Sequence, residues 1–232
     1  MLYRSTIAMS LAFGALVPFA LQAQKESHAT DRLDAAVDVL KDLMHADDKG
    51  IPQDLIDKAN CVVVVPNMKK AGFIFGAKYG RGFATCRKAS NSGWTAPAGI
   101  RIEGGSFGLQ IGGTEQDAVL LVMNQTGMKH LRESKFTLGG DATVAAGPVG
   151  RNATAQTDAT MHAEMLSYSR ARGIFAGISL DGATLRPDDS ANKELYGTDP
   201  GNRAILMGDV KTPPAAQKLA GALNRESPHE DK

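Results

Sequence analysis

The sequence predicts an α+β fold, in which a mainly antiparallel β-sheet or partly closed barrel is packed by helices from both ends of the chain. Residues 61–186 form successive short segments that are rich in β-branched and aromatic residues and separated by Gly, Asn and Pro, as in a series of strands. Apolar residues recur at helical spacing before and after this region, and within it over about 126–133. Strands do not alternate with long helices, which argues against a Rossmann layout.

The first predicted helix lies just before the strands. Its polar face carries six aspartates over residues 31–48, which anionic lipid would repel. We therefore expect this helix to cover the sheet rather than to lie on a membrane surface. Its apolar face is formed by Leu33, Ala36, Val37, Leu40, Leu43 and Met44.

The composition favours one folded domain without a general affinity for nucleic acid. The chain has 232 residues, 43% of them hydrophobic, and its 26 Lys and Arg residues nearly balance 25 Asp and Glu residues. A general nucleic-acid binder would need a basic surface to displace counterions from phosphate. We predict a single domain over residues 24–225, with its C-terminal helices included, and a flexible tail over 226–232.

The first 23 residues have the pattern of a cleavable export signal. A short basic start containing Arg4 precedes an uncharged apolar run, and Ala23 offers a small residue at the cleavage position. The alternative is an uncleaved membrane anchor, although the run is short for a membrane span and contains Pro18. The expected location is therefore the periplasm or the exterior, with a peripheral position at a membrane surface.

The only two cysteines, Cys61 and Cys86, each border a β-rich segment. In an oxidising compartment two cysteines usually pair, and adjacent antiparallel strands could bring these two together. We predict a disulfide, with two separately buried thiols as the alternative. A metal site at the cysteines is not expected, because no C-x-x-C is present and no histidine lies between them.

The chain offers little catalytic chemistry. Its glycine clusters contain neither G-x-G-x-x-G opening a helix nor G-x-x-x-x-G-K-[ST], the two patterns of phosphate-binding loops, and no G-x-S-x-G is present. We therefore expect no cofactor, no catalytic residue and no enzymatic activity. The strongest polar cluster is Asp158, His162 and Glu164, which could serve a metal-dependent enzyme. Such a cluster is more often a loop histidine with hydrogen-bond partners.

Basic residues set beside aromatic ones form the main functional pattern. Cationic side chains attract phosphate head groups, by about 1 kcal/mol each near an anionic surface, and aromatic rings settle at the interface. The alternative is ordinary solvated charge at strand edges. The candidate lipid-binding residues are Lys69, Lys70, Phe73, Phe75, Lys78, Arg81, Arg170 and Arg172.

Several long stretches of the chain resemble the SYLF domain family, a family of lipid-binding domains that is also named after a yeast actin-binding protein. The stretches are VVVVPNMKKAGFIFGAKYGRG, GWTAPAGIRIEGGSFGLQIGG, FTLGGDATVAAGPVGR, LSYSRARGIFAGISLDGATLRPD and NKELYG, in family order, and NRAILMGDVKTPPAAQKLAGAL is similar to the tail of bacterial members. One departure from the family is Gly99, where a bulky apolar residue is expected.

The resemblance implies phospholipid binding, including phosphoinositides in eukaryotic relatives, and actin bundling in some of them. For an exported, bacterial-looking chain, we expect an anionic phospholipid or membrane surface as partner and do not expect actin. The alternative is a protein-interaction or scaffold module with a protein partner in the cell envelope.

Overall fold

A computed structural model describes residues 28–44, 50–72, 75–90, 93–107, 112–150, 162–171 and 174–227. The segment predicted to be an export signal lies outside these residues. The described residues form an α+β structure in which one mainly antiparallel sheet curls into a half-barrel, with helices from both ends of the chain. The predicted fold class is therefore confirmed.

Nine strands of the described residues join one sheet, in the order β5-β9-β3-β2-β1-β4-β7-β6, with β8 also paired to β7. Each pairing is antiparallel except that of β6 with β7. The strands are β1 (Cys61–Gly72), β2 (Phe75–Cys86), β3 (Ala98–Phe107), β4 (Gly112–Val122), β5 (Phe136–Thr137), β6 (Val144–Ala146), β7 (Met165–Ala171), β8 (Ile174–Gly177) and β9 (Thr184–Pro187).

Helices flank the sheet, and none of those in the described residues is long and apolar enough to cross a membrane. The first helix packs Leu33 and Leu40 into a core cluster with the sheet, as its apolar spacing predicts. The helices are α1 (Ala29–Met44), α2 (Gln53–Lys58), α3 (Gln125–Leu131), α4 (Asp189–Tyr196), α5 (Gly201–Met207) and α6 (Gln217–Glu226), with a 3-10 turn at Pro214–Ala216.

Both faces of the sheet are buried over its central part, which explains the uninterrupted valine run of β1. Val62 and Val64 belong to the cluster beneath α1 and α6, whereas Val63 and Val65 belong to the cluster that includes Ile205 of α5. We refer to these two sides of the sheet as the α1 face and the α5 face.

The two cysteines are bonded to each other, which confirms the predicted disulfide. Cys61 and Cys86 are direct partners in the antiparallel register of β1 and β2, and both are fully buried. The bridge therefore closes the base of the β1–β2 hairpin.

The end of α6 is anchored to the rest of the domain by Ser227. This residue is buried, and its carbonyl accepts hydrogen bonds from Arg87 and from the Trp94 indole. Ser227 lies within the tail predicted over 226–232 and is held by these hydrogen bonds. Residues 228–232 lie outside the described residues, so the flexibility of the tail stays a prediction.

The opposite end of the hairpin is a four-stranded extension of the sheet. β9 pairs with β3 only over residues 100–103, and β7 pairs with β4 only over residues 117–122. Beyond those pairings, the part of the sheet that the structure describes consists of β1 to β4. We call this part, residues 68–72, 75–79, 104–107 and 112–116, the distal end.

Candidate anion-binding surface

Two lysines lie directly opposite each other at the distal end. Lys70 of β1 and Lys78 of β2 are partners in the antiparallel register, and both are partly exposed. Lys70 is two residues from Met68, which is buried in the cluster of the α5 face. Because side chains alternate along a strand and opposite residues share a face, both lysines project from the α5 face. We call them the lysine pair.

The lysine pair places like charges next to each other. Burial lowers the pKa of the Lys70 ammonium, and the positive charge of Lys78 lowers it further. Like charges directly opposite in a sheet are destabilising, so an anion bound between the two ammonium groups would relieve the repulsion.

The register partners of the lysine pair on β4 and β3 are small and uncharged. In the other registers Lys70 lies opposite Thr114 of β4, and Lys78 lies opposite Gly104 of β3. In the part of the chain that the structure describes, neither ammonium group forms a salt bridge with a carboxylate. The pair therefore presents concentrated positive charge on a surface that an anionic group can approach.

Lys69 projects from the other side of the sheet. It lies opposite Tyr79 of β2 and Glu115 of β4, on the α1 face. A β-bulge between Val65 and Met68 determines this placement, since one extra residue in β1 shifts the alternation of side chains. The sequence groups Lys69 with Lys70, and the structure separates them.

At the bulge, Asn67 has a left-handed backbone, with a φ of 51°. Its N–H donates to the Asp117 carboxylate. The dipeptide Pro66-Asn67 is the sequence signal that could have located this irregularity, because proline interrupts a strand and asparagine tolerates a positive φ.

Arg81 lies on the α1 face and takes part in an internal ion pair. Its guanidinium donates to both carboxylate oxygens of Asp188, at 2.5 and 2.9 Å, and also to the Ser190 hydroxyl. We leave Arg81 out of the candidate surface, because these hydrogen bonds hold its guanidinium against α4.

Arg170 is likewise held by carboxylates. Its Nε lies 2.6 Å from Asp117, its neighbour across the β4–β7 pairing, and its Nη1 contacts Asp42 of α1. The acidic face of α1 thus supplies a partner to a basic residue of the sheet. We leave Arg170 out of the candidate surface for the same reason as Arg81.

Of the three remaining candidates, Phe75 lies within the described residues. Phe75 begins β2 and lies opposite Phe107 of β3 in the register, at the distal end. Phe73 and Arg172 lie outside the described residues. Their role in lipid binding stays a prediction.

Two of the three residues of the metal hypothesis, His162 and Glu164, lie in the described part of the chain. His162 is exposed, whereas the Glu164 carboxylate lies 3.6 Å from Nε2 of a different histidine, His130. Asp158 lies outside the described residues, and the described residues contain no group of three or more possible metal ligands.

A family model described as "Las17-binding protein actin regulator", named Ysc84, matches residues 103–226. The match begins within β3 and continues to the end of α6. It therefore covers more than half of the chain.

Curated relatives align over a longer stretch. An SH3 domain-containing protein of Schizosaccharomyces pombe is 36% identical over 75% of this chain and 41% of its own length. LAS seventeen-binding protein 3 of Saccharomyces cerevisiae is 33% identical over 76% of this chain and 39% of its own length. SH3 domain-containing YSC84-like protein 1 of Mus musculus is 36% identical over 76% and 52%. The chain thus spans about two fifths to one half of the length of these relatives.

These comparisons correct one expectation of the sequence analysis. Actin was not expected as a partner, and that expectation is wrong, because the matched family is described as an actin regulator and relatives carry the names Las seventeen-binding protein and YSC84. The resemblance noted from the sequence stretches is confirmed by the same matches.

Proposed function

The chain belongs to the Ysc84 family, and we propose that it is a non-enzymatic binding module whose lysine pair takes an anionic phospholipid head group. The observation that carries this proposal is the direct pairing of Lys70 with Lys78 on one face of the distal end. A phosphate between the two ammonium groups would compensate charges that repel each other in the free protein.

The test is co-sedimentation of the protein with vesicles of phosphatidylglycerol or cardiolipin, against vesicles of phosphatidylcholine. We expect binding to the anionic vesicles that weakens as salt is added, because salt screens exposed charges. The double variant Lys70→Gln with Lys78→Gln should lose most of this binding.

The matched control is Lys69→Gln, which removes one positive charge of the same strand from the opposite face. It should keep most of the vesicle binding. Equal losses in the control and in the double variant would show that general charge, rather than the lysine pair, attracts the vesicles. Unchanged binding in the double variant would show that the lysine pair does not bind the vesicles.

A second candidate function is a protein partner of the actin cytoskeleton. The family description and the names of the relatives support it, although the aligned region is only part of those longer proteins. Co-sedimentation with actin filaments, in parallel with the vesicles, tests this candidate. Binding to filaments but not to vesicles would favour the actin-regulating role.

The cellular location bears on both candidates. We propose that residues 1–23 are removed on export, on the basis of their basic start and apolar run. The intact mass of the protein recovered from the periplasmic fraction of an expressing bacterium tests this. A chain that starts at Gln24 is the expected product, and a full-length chain in the cytoplasm would contradict the proposal. An envelope protein partner that survives delipidation would instead favour a scaffold role.

A further inference from the structure

Three arginines lie side by side on the α1 face, on three adjacent strands. Arg101 of β3 is the direct register partner of Arg81 in β2 and of Arg186 in β9. Opposite residues in a sheet share a face, so the three guanidinium groups form a row across the strands. We call them the arginine row.

Two carboxylates form ion pairs with the outer arginines of the row. Asp188 is fully buried and accepts two hydrogen bonds from Arg81. Glu103 pairs with Arg186, at 2.8 and 3.1 Å. The row therefore has three guanidinium groups and two carboxylates, and each carboxylate is most closely paired with an outer arginine.

Arg101, in the middle, is left with the weakest partner. Its Nε lies 3.5 Å from Asp188 and, within the described residues, is a buried donor without a hydrogen bond. Its side chain is 27% exposed, between a nearly buried Arg81 at 10% and a more open Arg186 at 42%. Exposure to solvent therefore increases along the row from Arg81 through Arg101 to Arg186.

We propose that Arg101 is the centre of a binding site for a phosphomonoester group, to which Arg186 adds positive charge while it stays paired with Glu103. The guanidinium group presents several N–H donors in a fixed plane, a geometry that matches the oxygens of phosphate. A phosphate dianion also supplies the negative charge that the row lacks. This site lies on the opposite face of the sheet from the lysine pair and is independent of the function proposed for that pair.

Besides the two carboxylates that are paired within the arginine row, the site has an exposed acidic neighbour. Asp189 is exposed in the first turn of α4, immediately after Asp188, and its carboxylate would repel an approaching anion. Its removal should therefore tighten binding, which gives the site a signature that a general loss of fold would not produce.

In the experiment, inorganic phosphate is titrated into the full chain, and the heat of binding is measured by calorimetry. Arg101→Gln should weaken phosphate binding by about tenfold or more, the loss expected for a charge-assisted hydrogen bond. Arg101→Lys keeps the charge without the planar group and should fall between that variant and the wild type. Asp189→Asn should bind more tightly.

The control is Arg203→Gln, which removes an exposed arginine of α5. It should bind phosphate like the wild type, and so should the double variant of the lysine pair. Equal affinity in wild type and Arg101→Gln would overturn the proposal. So would a loss in Arg203→Gln as large as that in Arg101→Gln. Circular dichroism of each variant checks that the fold is retained, and Arg101→Lys supplies the comparison if Arg101→Gln unfolds.

Vesicles distinguish the two sources of a phosphomonoester. Phosphatidic acid in phosphatidylcholine vesicles presents the group on a membrane, whereas phosphatidylglycerol offers only a phosphodiester. Arg101-dependent pelleting with phosphatidic acid, competed by inorganic phosphate, would assign the site to a lipid head group. Phosphate binding without pelleting would assign it to a soluble phosphorylated ligand.

Discussion

Arg81 and Asp188 are 107 residues apart in the sequence and form a two-point ion pair, with Nε and Nη2 of the arginine donating to the two carboxylate oxygens. The carboxylate is fully buried and also accepts a hydrogen bond from the Ala191 N–H, as the N-cap of α4. One side chain thus joins the sheet to the start of a helix.

Asp188→Asn should destabilise the protein strongly. The change leaves the nearly buried Arg81 guanidinium without its counter-charge, although asparagine can still cap α4. Loss of one partner from a buried pair costs about 3 kcal/mol or more of the free energy of unfolding. Urea denaturation at neutral pH measures it, with Asp189→Asn as the matched exposed control. A loss no larger than that of the control would contradict the structural role.

The same variant should change the acid dependence of stability. Burial by itself would raise the pKa of Asp188, but hydrogen bonds from Arg81 and Ser190 and the charge of Arg81 outweigh it and lower the pKa. The stabilisation is therefore present above the ordinary aspartate pKa of about 4 and is lost as pH falls through the lowered value. The difference between wild type and Asp188→Asn should shrink over that acid range.

Gly99→Ala should also destabilise the protein. A Cβ at this position would lie 2.8 Å from the Asp188 carbonyl oxygen and 3.0 Å from the Ala191 Cβ. The glycine N–H donates to the buried Asn192 amide, so the close approach is held by a hydrogen bond. Overpacking of this kind costs about 1–3 kcal/mol, measured by thermal or urea unfolding. Gly105→Ala is the control, because a Cβ there meets nothing closer than 4.0 Å among the described residues, and it should change stability little.

Gly99 also shows that contacts between residues far apart in the chain cannot be predicted from local sequence patterns. The series of strands, the terminal helices and the disulfide all follow from local patterns, because strand alternation, helical spacing and cysteine count are properties of neighbouring residues. The need for glycine at position 99 follows from the close approach of Asp188 and Ala191, which lie far later in the chain. A contact between distant residues leaves no local pattern, so the sequence offered only an unexplained departure.

For the candidate surface, the sequence predicts which basic residues are involved but not which face or partner each of them has. Basic residues at the β1–β2 hairpin were identified from the sequence, and the lysine pair is among them. The bulge after Val65 then decides which lysine faces which side, and the carboxylates of Asp117 and Asp188 decide which arginines are already engaged. Those partners come from β4 and from the residue before α4, so their positions depend on the tertiary fold.

Removal of the disulfide should lower stability without changing the topology. The bridge joins Cys61 and Cys86 across a separation of 25 residues, and a closed loop of this length restricts the unfolded chain by about 3 kcal/mol. The double variant Cys61→Ala with Cys86→Ala should lose a comparable free energy of unfolding. Peptide mapping of the unreduced, alkylated wild type should recover the two cysteines as one linked peptide pair. Two alkylated cysteines would refute the bridge.

Ser227→Ala should loosen the anchored end of α6. The hydroxyl accepts a hydrogen bond from Arg87 at 2.6 Å and donates one to Asp57 at 2.7 Å. The alanine leaves both groups short of a partner, at a cost of about 1–3 kcal/mol in the free energy of unfolding. Urea denaturation should separate this variant from Ser134→Ala, an exposed control. Equal stability of the two variants would show that the hydroxyl has no structural role.

Lys78→Gln should raise the stability of the protein while it weakens vesicle binding. The variant removes the like charge opposite Lys70, so the free protein should gain roughly 0.2–1 kcal/mol of stability at low salt, while binding to anionic vesicles falls. A residue that merely supported the fold would lose binding and stability together. Lys69→Gln, which removes a charge opposite Glu115, should not gain stability.

The pH dependence of that gain has a defined sign. The pKa of Lys70 is lowered by burial and then by the charge of Lys78, so its charged form destabilises the fold below the lowered pKa. The penalty disappears as pH rises through the lowered value towards the ordinary lysine pKa. Denaturation curves of wild type and Lys78→Gln should therefore differ at neutral pH and converge in alkaline solution. A Lys78→Gln variant that is less stable than wild type at neutral pH would show that Lys78 supports the fold. The repulsion between Lys70 and Lys78 would then no longer support an anion site at the lysine pair.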